Sequence, residues 1–152
     1  MKKITLFWFR RDLRLEDNVG LNTALHEGNN VLPLFIFDTD ILQHLQKNDA
    51  RVNFLHNRIE ELNRQLQPIG KKIHVFHGKP LDIINSLTQQ LEVGEVFTNR
   101  DYEPYSVKRD HEIEKLLTTK NIRFSTSKDH VIFEKDEVVK ADGTPYRVYT
   151  PY

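Results

Sequence analysis

The feature that most constrains what this chain can fold into is a regular alternation of short apolar runs with stretches of helical periodicity. Five runs rich in β-branched and aromatic residues predict strands: residues 4–9, 31–37, 73–76, 93–98 and 122–125. Continuous apolar runs of this length are typical of strands buried on both faces of a sheet. Between them, apolar residues spaced three and four apart predict helices, most clearly over 52–66 and 81–91.

Strands that alternate with helices need crossover connections, and these indicate a parallel sheet. We therefore predict an α/β fold of the Rossmann-like type, a five-stranded parallel sheet with four helices divided between its two faces. Asn18 or Asp17 can cap the first helix, and Pro80 and Pro104 suit first helical turns. Pro33 lacks a backbone donor, so we place it at the entrance of its strand, where that loss costs least.

Composition narrows the classes of function. The chain has 22 basic and 22 acidic side chains, so no net charge attracts it to nucleic acid or to an anionic membrane. It has no cysteine, which excludes a thiolate nucleophile and is consistent with a reducing compartment. No apolar run is long enough for the core of a signal peptide or for a membrane span. We expect a cytoplasmic protein, a monomer without membrane contact.

Ligands of open parallel sheets bind beyond the carboxyl ends of the strands, so the residues there are the first candidates for a site. Arg10 follows the first strand, Asp38 the second, and the polar segment 99–103 the fourth. These side chains suit a planar ligand with polar edges, but paired loop charges explain them equally well. Neither GxGxxG nor GxxxxGK[ST] occurs, which disfavours a dinucleotide dehydrogenase or a P-loop enzyme. The histidines lack metal-ligand spacing, so no metal site is predicted.

One pattern indicates a different chemistry. The second strand ends in Asp38-Thr39-Asp40, the Asp-x-Asp arrangement found in phosphohydrolases of the haloacid dehalogenase type. Their first carboxylate is a nucleophile, and they also need magnesium held by acidic residues after a later strand. No such acidic pair follows a later strand here, so a magnesium-dependent phosphohydrolase is a weaker alternative. A stand-alone nucleotide- or flavin-binding module of similar topology is another.

Three stretches resemble, in order and position, motifs of the photolyase and cryptochrome family: FWFRRDLRLEDNVGL (7–21), ARVNFLHNRIEELNRQL (50–66) and NRDYEPYSVKRD (99–110). The ending YRVYTPY (146–152) resembles the segment in which that family's antenna domain leads toward its flavin domain. The resemblance covers essentially the whole chain. It is strongest to the bacterial members that repair cyclobutane pyrimidine dimers.

The resemblance implies a light-driven enzyme that repairs pyrimidine dimers in DNA by electron transfer from reduced FAD. It implies that residues 1–133 form the antenna-chromophore domain and that 134–152 begin the linker toward a C-terminal helical domain that binds FAD. That domain is then the partner within the same chain and carries most of the contact with damaged DNA. No catalytic residue is expected in residues 1–152, and a cryptochrome photoreceptor is the alternative within the family.

The resemblance also implies a set of chromophore-binding residues. In relatives with a deazaflavin antenna, an arginine at the start of the second helix and an aspartate before Glu-Pro-Tyr contact the chromophore, and these match Arg51 and Asp101. Arg10, Phe37 and Asp38 line the same crevice by topology. From the residues alone, Asp101 is equally well explained by an ion pair with a neighbouring arginine, Arg100 or Arg109.

The identity of the chromophore is predicted less directly. Relatives with a folate antenna usually carry Asn-Glu where this chain has Tyr105-Ser106, so a deazaflavin-type chromophore is favoured, with folate or flavin as alternatives. Glu103 is added to the predicted site because it can meet a pterin edge, although it equally suits a role in fixing the backbone before Pro104. Trp8 lies within the first strand, and we expect it to pack in the core rather than to relay electrons.

Overall fold

The computed structural model describes residues 3–134, 137–140 and 142–144. Its centre is one sheet of five parallel strands in the order β3-β2-β1-β4-β5. The strands are β1 (Ile4–Phe9), β2 (Val31–Asp38), β3 (His74–Gly78), β4 (Val93–Asn99) and β5 (Arg123–Ser127). The predicted fold class is confirmed.

Helices connect the strands. They are α1 (Val19–Glu27), α2 (Thr39–Leu42), α3 (Ala50–Leu66), α4 (Pro80–Gln90) and α5 (Pro104–Thr119), with a 3₁₀ turn at Gln67–Ile69. Four of them match the predicted helices. The fifth, α2, was not predicted because four residues are too few to show helical periodicity. It forms because the Asp38 carboxylate accepts a hydrogen bond from the backbone N–H of Asp40 at 3.0 Å and caps the helix.

The two faces of the sheet carry separate apolar cores. Along β1, Leu6 and Trp8 pack with residues of α4 and α5, while Phe7 and Phe9 pack with residues of α1 and α3. Successive strand side chains point to opposite faces, so one fully apolar strand supplies both cores. Burying β1 on both faces fixes the position of its carboxyl end, where the candidate site begins.

Local signals in the sequence agree with the structure in most cases. Asn18 rather than Asp17 caps α1, accepting a hydrogen bond from the Leu21 N–H at 3.0 Å. Pro33 pairs with β1 but precedes the first residue of β2 that pairs with β3, as expected for a strand entrance. Asp142-Gly143 in the sequence favours a hairpin turn; Gly143 has a φ of 78°, but no strands flank it within 137–140 and 142–144. The ending at 146–152 lies outside the described residues.

Within the part of the chain that the structure describes, no helix has the length and apolar character needed to cross a membrane. The longest helix, α3, has 17 residues and is charged along one side.

Candidate ligand-binding site

A cavity of about 360 Å³ opens at the carboxyl ends of β1 and β2. The helix α2, the loop that follows it and the start of α3 form one wall. The apolar lining is Trp8, Phe9, Phe35, Ile36, Phe37, Ile41, Leu42, Leu45, Val52 and Leu55. The polar lining is Arg10, Arg11, Asp38, Arg51, Asp101 and Arg109. A concave, largely apolar site with a few charged groups at its edge is typical of small-molecule binding.

The structure brings five of the six predicted site residues to this one cavity: Arg10, Phe37, Asp38, Arg51 and Asp101. Glu103 is placed elsewhere, because Pro104 starts α5 immediately after it and its carboxylate turns toward Arg11, at 3.7 Å. Its side chain is 59% exposed. Glu103 therefore does not belong to the cavity, contrary to the expectation from its sequence position.

Arg10 is a buried cation at the carboxyl end of β1. Its Nη1 and Nη2 each donate to the Asp110 carboxylate at 2.7 Å. Burial first, and then the neighbouring Arg109, lower the pKa of Arg10. Its Nε is the single buried side-chain nitrogen or oxygen without a hydrogen-bond partner among the residues described. A buried donor left unpaired is costly, and the described residues provide no acceptor for this one.

Arg109, like Arg11, is a charged cavity residue that the sequence analysis did not predict. It lies four residues after Tyr105 on α5, a spacing that places both on one face of the helix. Its Nη1 lies 3.5 Å from the Asp38 carboxylate, which also accepts a hydrogen bond from the Tyr105 hydroxyl at 2.7 Å. Partial burial, followed by this hydrogen bond, raises the pKa of Tyr105. The i, i+4 pair was the signal available in the sequence.

Asp101 pairs with Arg11 at 3.2 Å, rather than with Arg100 or Arg109 as the alternative interpretation proposed. Burial favours a raised pKa, but hydrogen bonds from the Glu103 N–H and from Ser106, together with nearby arginines, hold the pKa of Asp101 below its usual value. The group is therefore an anion at neutral pH, placed on the cavity wall.

Arg51 lies at the exposed mouth of the cavity. Its guanidinium donates to both carboxylate oxygens of Asp49, the N-cap of α3, at 2.9 and 2.7 Å. A cation at a helix N-terminus opposes the helix dipole, and Asp49 compensates for it. The Arg51 side chain is thus held in place before any ligand binds.

The Asp49 carboxylate provides a pH test of this arrangement. Hydrogen bonds from the Arg51 side chain and backbone lower its pKa to about 2. Because the folded-state pKa lies below the unfolded value, the pair stabilises the fold above about pH 4 and loses that effect as the pH falls toward 2. In Arg51→Ala, we expect an NMR titration of the Asp49 carboxyl carbon to give a pKa shifted toward the ordinary value of about 3.9. An unchanged pKa in the variant would refute the pairing.

The magnesium-phosphohydrolase interpretation finds no support in the geometry. Asp38 is engaged by Tyr105 and Arg109, and Asp40 pairs with Lys79 at 3.1 Å. In the described residues, groups able to hold a metal ion cluster only at Asp12, Asp129 and His130. There, two hydrogen bonds from Arg14 occupy the Asp129 carboxylate.

The strand order reverses between β1 and β4, yet the cavity lies toward β2. A buried network fills the gap between β1 and β4 instead. The Asn99 amide donates to Asp12 and to Asn18, and its oxygen accepts the Gly20 N–H at 2.9 Å. The network joins the end of β4 to the turn before α1. The aromatic-lined cavity lies beside this network, at the ends of β1 and β2.

A larger groove of about 760 Å³ lies at the opposite, amino-terminal edge of the sheet, next to Val31 and His74. Its lining includes Glu60, Arg64 and Lys71 but no phenylalanine, tyrosine or tryptophan. Since parallel sheets bind ligands at their carboxyl edge, the smaller aromatic cavity is the better candidate.

Comparison with known proteins places these features in a family. The family model described as DNA photolyase matches residues 5–152. A deoxyribodipyrimidine photo-lyase from Synechococcus sp. is 37% identical over 147 residues, 97% of this chain and 30% of that protein. Cryptochrome-1 from Aedes aegypti is 28% identical over 144 residues, 91% of this chain and 26% of that protein.

Among solved structures, an archaeal photolyase from Sulfolobus tokodaii aligns with a TM-score of 0.75 and 34% identity, covering 87% of this chain and 31% of that one. It is described as containing two FAD molecules, with the implication of a novel light-harvesting cofactor. This chain therefore spans about a third or less of the length of these relatives.

Proposed function

Because this chain belongs to the DNA photolyase family, we propose that it is the antenna domain of a photolyase and that its cavity holds a flat, light-absorbing chromophore. The observation that carries the proposal is the convergence of Arg10, Phe37, Asp38, Arg51 and Asp101 on one aromatic-lined cavity. They come from four separate parts of the chain. An aromatic floor with charged groups at its edge suits a planar ring system with polar substituents.

The chain's own residues have distinct roles in this proposal. Phe37 and the apolar side chains of α2 and α3 supply surface for the ring system, while Trp8 and Phe35 are almost fully buried in the lining. Arg10 places a positive charge beside the ring edge. Arg51, held by Asp49 at the mouth, binds an anionic or carbonyl group. The bound chromophore supplies absorption of light and passage of the excitation energy to a flavin.

A deazaflavin-type chromophore remains the favoured occupant, with FAD second. The Sulfolobus tokodaii photolyase, described as having two FAD molecules and a novel light-harvesting cofactor, supports a flavin-like ring for relatives of this chain. Folate is third. Tyr105 stands where folate-binding relatives carry asparagine, and its hydroxyl is engaged by Asp38 at 2.7 Å. Deazaflavin and flavin share a tricyclic ring, so one cavity suits both.

The proposal extends to the protein of which this chain would be part. Residues 1–133 are the antenna domain, and 134–152 begin the linker toward a C-terminal helical domain that binds FAD and damaged DNA. Reduced FAD there would split pyrimidine dimers after light excitation. Glu134 accepts a hydrogen bond from the Tyr102 hydroxyl at 2.9 Å, so packing against this domain continues one residue past the proposed boundary. Cytoplasmic location and a monomeric state complete the proposal.

A cryptochrome photoreceptor is the second candidate, favoured by the similarity to Cryptochrome-1 of Aedes aegypti. Expression of the complete gene in a photolyase-deficient bacterium distinguishes a photolyase from a cryptochrome. A photolyase restores survival after ultraviolet irradiation under blue light but not in darkness. Equal survival in light and darkness would favour the photoreceptor.

Two substitutions at the cavity edge test which residues hold the chromophore. In Arg51→Ala and in Asp101→Ala, we expect the affinity for 8-hydroxy-5-deazariboflavin to fall by about tenfold or more, since each loses a hydrogen bond to a charged group. Equilibrium dialysis measures the dissociation constant. Arg64→Ala, on the same helix as Arg51 but outside the cavity, is the matched control. Tight binding of 5,10-methenyltetrahydrofolate that both substitutions leave unchanged would reject this assignment.

A further inference from the structure

Trp8 is the only tryptophan of the chain, and it forms part of the cavity wall. Its ring is in contact with two cations. The Cζ atom of Arg10 lies 4.1 Å from the ring centroid, and that of Arg109 lies 4.8 Å from it. Energetically significant cation–π contacts occur only about once per 70–80 residues of a protein. Trp8 has two such contacts on one indole, and both lie at the edge of a ligand cavity. This arrangement indicates a role beyond core packing.

The two arginines are fixed in place. Asp110 accepts two hydrogen bonds from Arg10 at 2.7 Å and lies 3.3 Å from Arg109. Asp38 lies 3.5 Å from Arg109. The arginine side chains are only 5% and 9% exposed, so solvent screens their charges weakly. The two guanidinium groups in contact with the indole are therefore fixed, and the Asp38 and Asp110 carboxylates that pair with them offset part of their positive charge.

A tryptophan in this position can quench the excited state of a light-absorbing ligand. Excited flavin-type rings are strong one-electron oxidants, and indole is readily oxidised. At close approach, one electron passes from the indole to the excited ring, forming an indole radical cation and a ring radical anion. The electron then returns to the indole, with no net chemistry, and the excitation energy is lost as heat. Among the side chains that line the cavity, only Trp8 is so easily oxidised.

We propose that Arg10 and Arg109 protect the excited state of the cavity ligand by making Trp8 harder to oxidise. The inference rests on the proposed binding of a flavin-type ring. A radical cation formed on the indole would lie against two guanidinium groups, and Coulomb repulsion from these contacting cations, reduced by their paired Asp38 and Asp110 carboxylates, would raise its energy. Trp8 can then keep its packing role, as a nearly fully buried side chain of the β1 core, without quenching the ligand.

The test uses riboflavin, which carries the isoalloxazine ring without an adenine that would itself quench. Time-resolved fluorescence of the bound riboflavin, at protein concentrations that saturate it, gives the excited-state lifetime. We expect a long lifetime in the wild type and in Trp8→Phe. In Arg109→Gln we expect the lifetime to fall to about a third of the wild-type value or below. The reason is the loss of a unit charge 4.8 Å from the indole ring.

Two further variants separate charge from packing. Arg109→Lys keeps the positive charge and is expected to retain most of the wild-type lifetime. The double variant Trp8→Phe with Arg109→Gln is expected to recover the long lifetime, since the electron donor is gone. Arg123→Gln, which removes an arginine on β5 far from the cavity lining, is the background control.

The outcomes are distinct. If riboflavin binds and its lifetime is unchanged in Arg109→Gln, the inference is refuted while the proposed function stands. The same holds if the shortening persists in the double variant, or if Trp8→Phe alone lengthens the lifetime severalfold. If neither riboflavin nor 8-hydroxy-5-deazariboflavin binds at all, the proposed function fails, and this inference fails with it.

Discussion

The variant Val52→Trp is expected to lose about 100-fold or more in affinity for 8-hydroxy-5-deazariboflavin while it unfolds at nearly the wild-type urea concentration. Val52 lies in the first turn of α3, half-buried, with its side chain in the cavity wall. An indole there fills space that the chromophore ring needs. The side chain has open volume to enter, so overpacking of the core stays small.

The neighbouring substitution Asn53→Trp is the matched control for Val52→Trp. Asn53 lies one residue further along α3 and is exposed, outside the cavity lining. It adds the same aromatic side chain to the same helix, and we expect wild-type affinity. Equilibrium dialysis of both variants, with urea denaturation of each, compares binding and stability. Wild-type binding by Val52→Trp would show that the chromophore lies elsewhere.

The largest effect on stability is expected for Asn99→Ala, with a loss of about 3–4 kcal/mol in the free energy of unfolding. Asn99 is 1% exposed, and the Asp12 and Asn18 side chains that it joins are also buried. Without the amide, the Gly20 N–H loses its acceptor, and the Asp12 carboxylate loses a donor. Urea denaturation followed by circular dichroism measures the change. Asn22→Ala, exposed on α1, is the control and is expected to cost little.

The nearly isosteric variant Asn99→Asp tests the same network without opening a cavity. It replaces a donor by a carboxylate next to the Asp12 carboxylate, so we expect a comparable loss at pH 7. Two adjacent carboxylates share a proton readily, and part of the stability is expected to return as the pH is lowered toward 5. A loss that does not change with pH would show that the amide donors to Asp12 are unimportant.

The elements of the fold could be predicted because each carries its own local signal. The apolar runs of β1 and β2 are buried on both faces, and α3 and α4 show helical periodicity over many residues. The helix α2 depends on a single cap by Asp38. With only four residues, it has no helical periodicity that could support a prediction from the sequence. Short elements of this kind become visible only when tertiary contacts are known.

The predicted residues that strand ends or family motifs identified lie together at the cavity, and the one that lies elsewhere does so because of its side-chain direction. Arg10 and Asp38 end buried strands, so topology placed them. Glu103 is two residues from Asp101, but the start of α5 turns its side chain toward Arg11. Arg109 shares a helix face with Tyr105, which the sequence shows, but its approach to the cavity depends on how α5 packs against the sheet, which no local pattern contains.

The role of Asn99 was also beyond local reasoning. A polar residue at the end of a strand is equally compatible with ligand contact and with a buried hydrogen-bond network. The partners that decide between these, Asp12, Asn18 and Gly20, lie about 80 residues away in the chain. These long-range hydrogen bonds fill the gap between the ends of β1 and β4. The aromatic-lined cavity therefore lies to one side of that gap, toward β2.

The most direct test of the central claim is a titration of the wild-type chain with 8-hydroxy-5-deazariboflavin, followed by the intrinsic emission of Trp8. Because this is the only tryptophan and it lines the cavity, its emission reports occupancy of this site alone. We predict that the emission is quenched in a saturable manner, with an end point at one ligand per chain. Emission that stays unchanged up to a large excess of ligand, while dialysis shows none bound, would contradict the account.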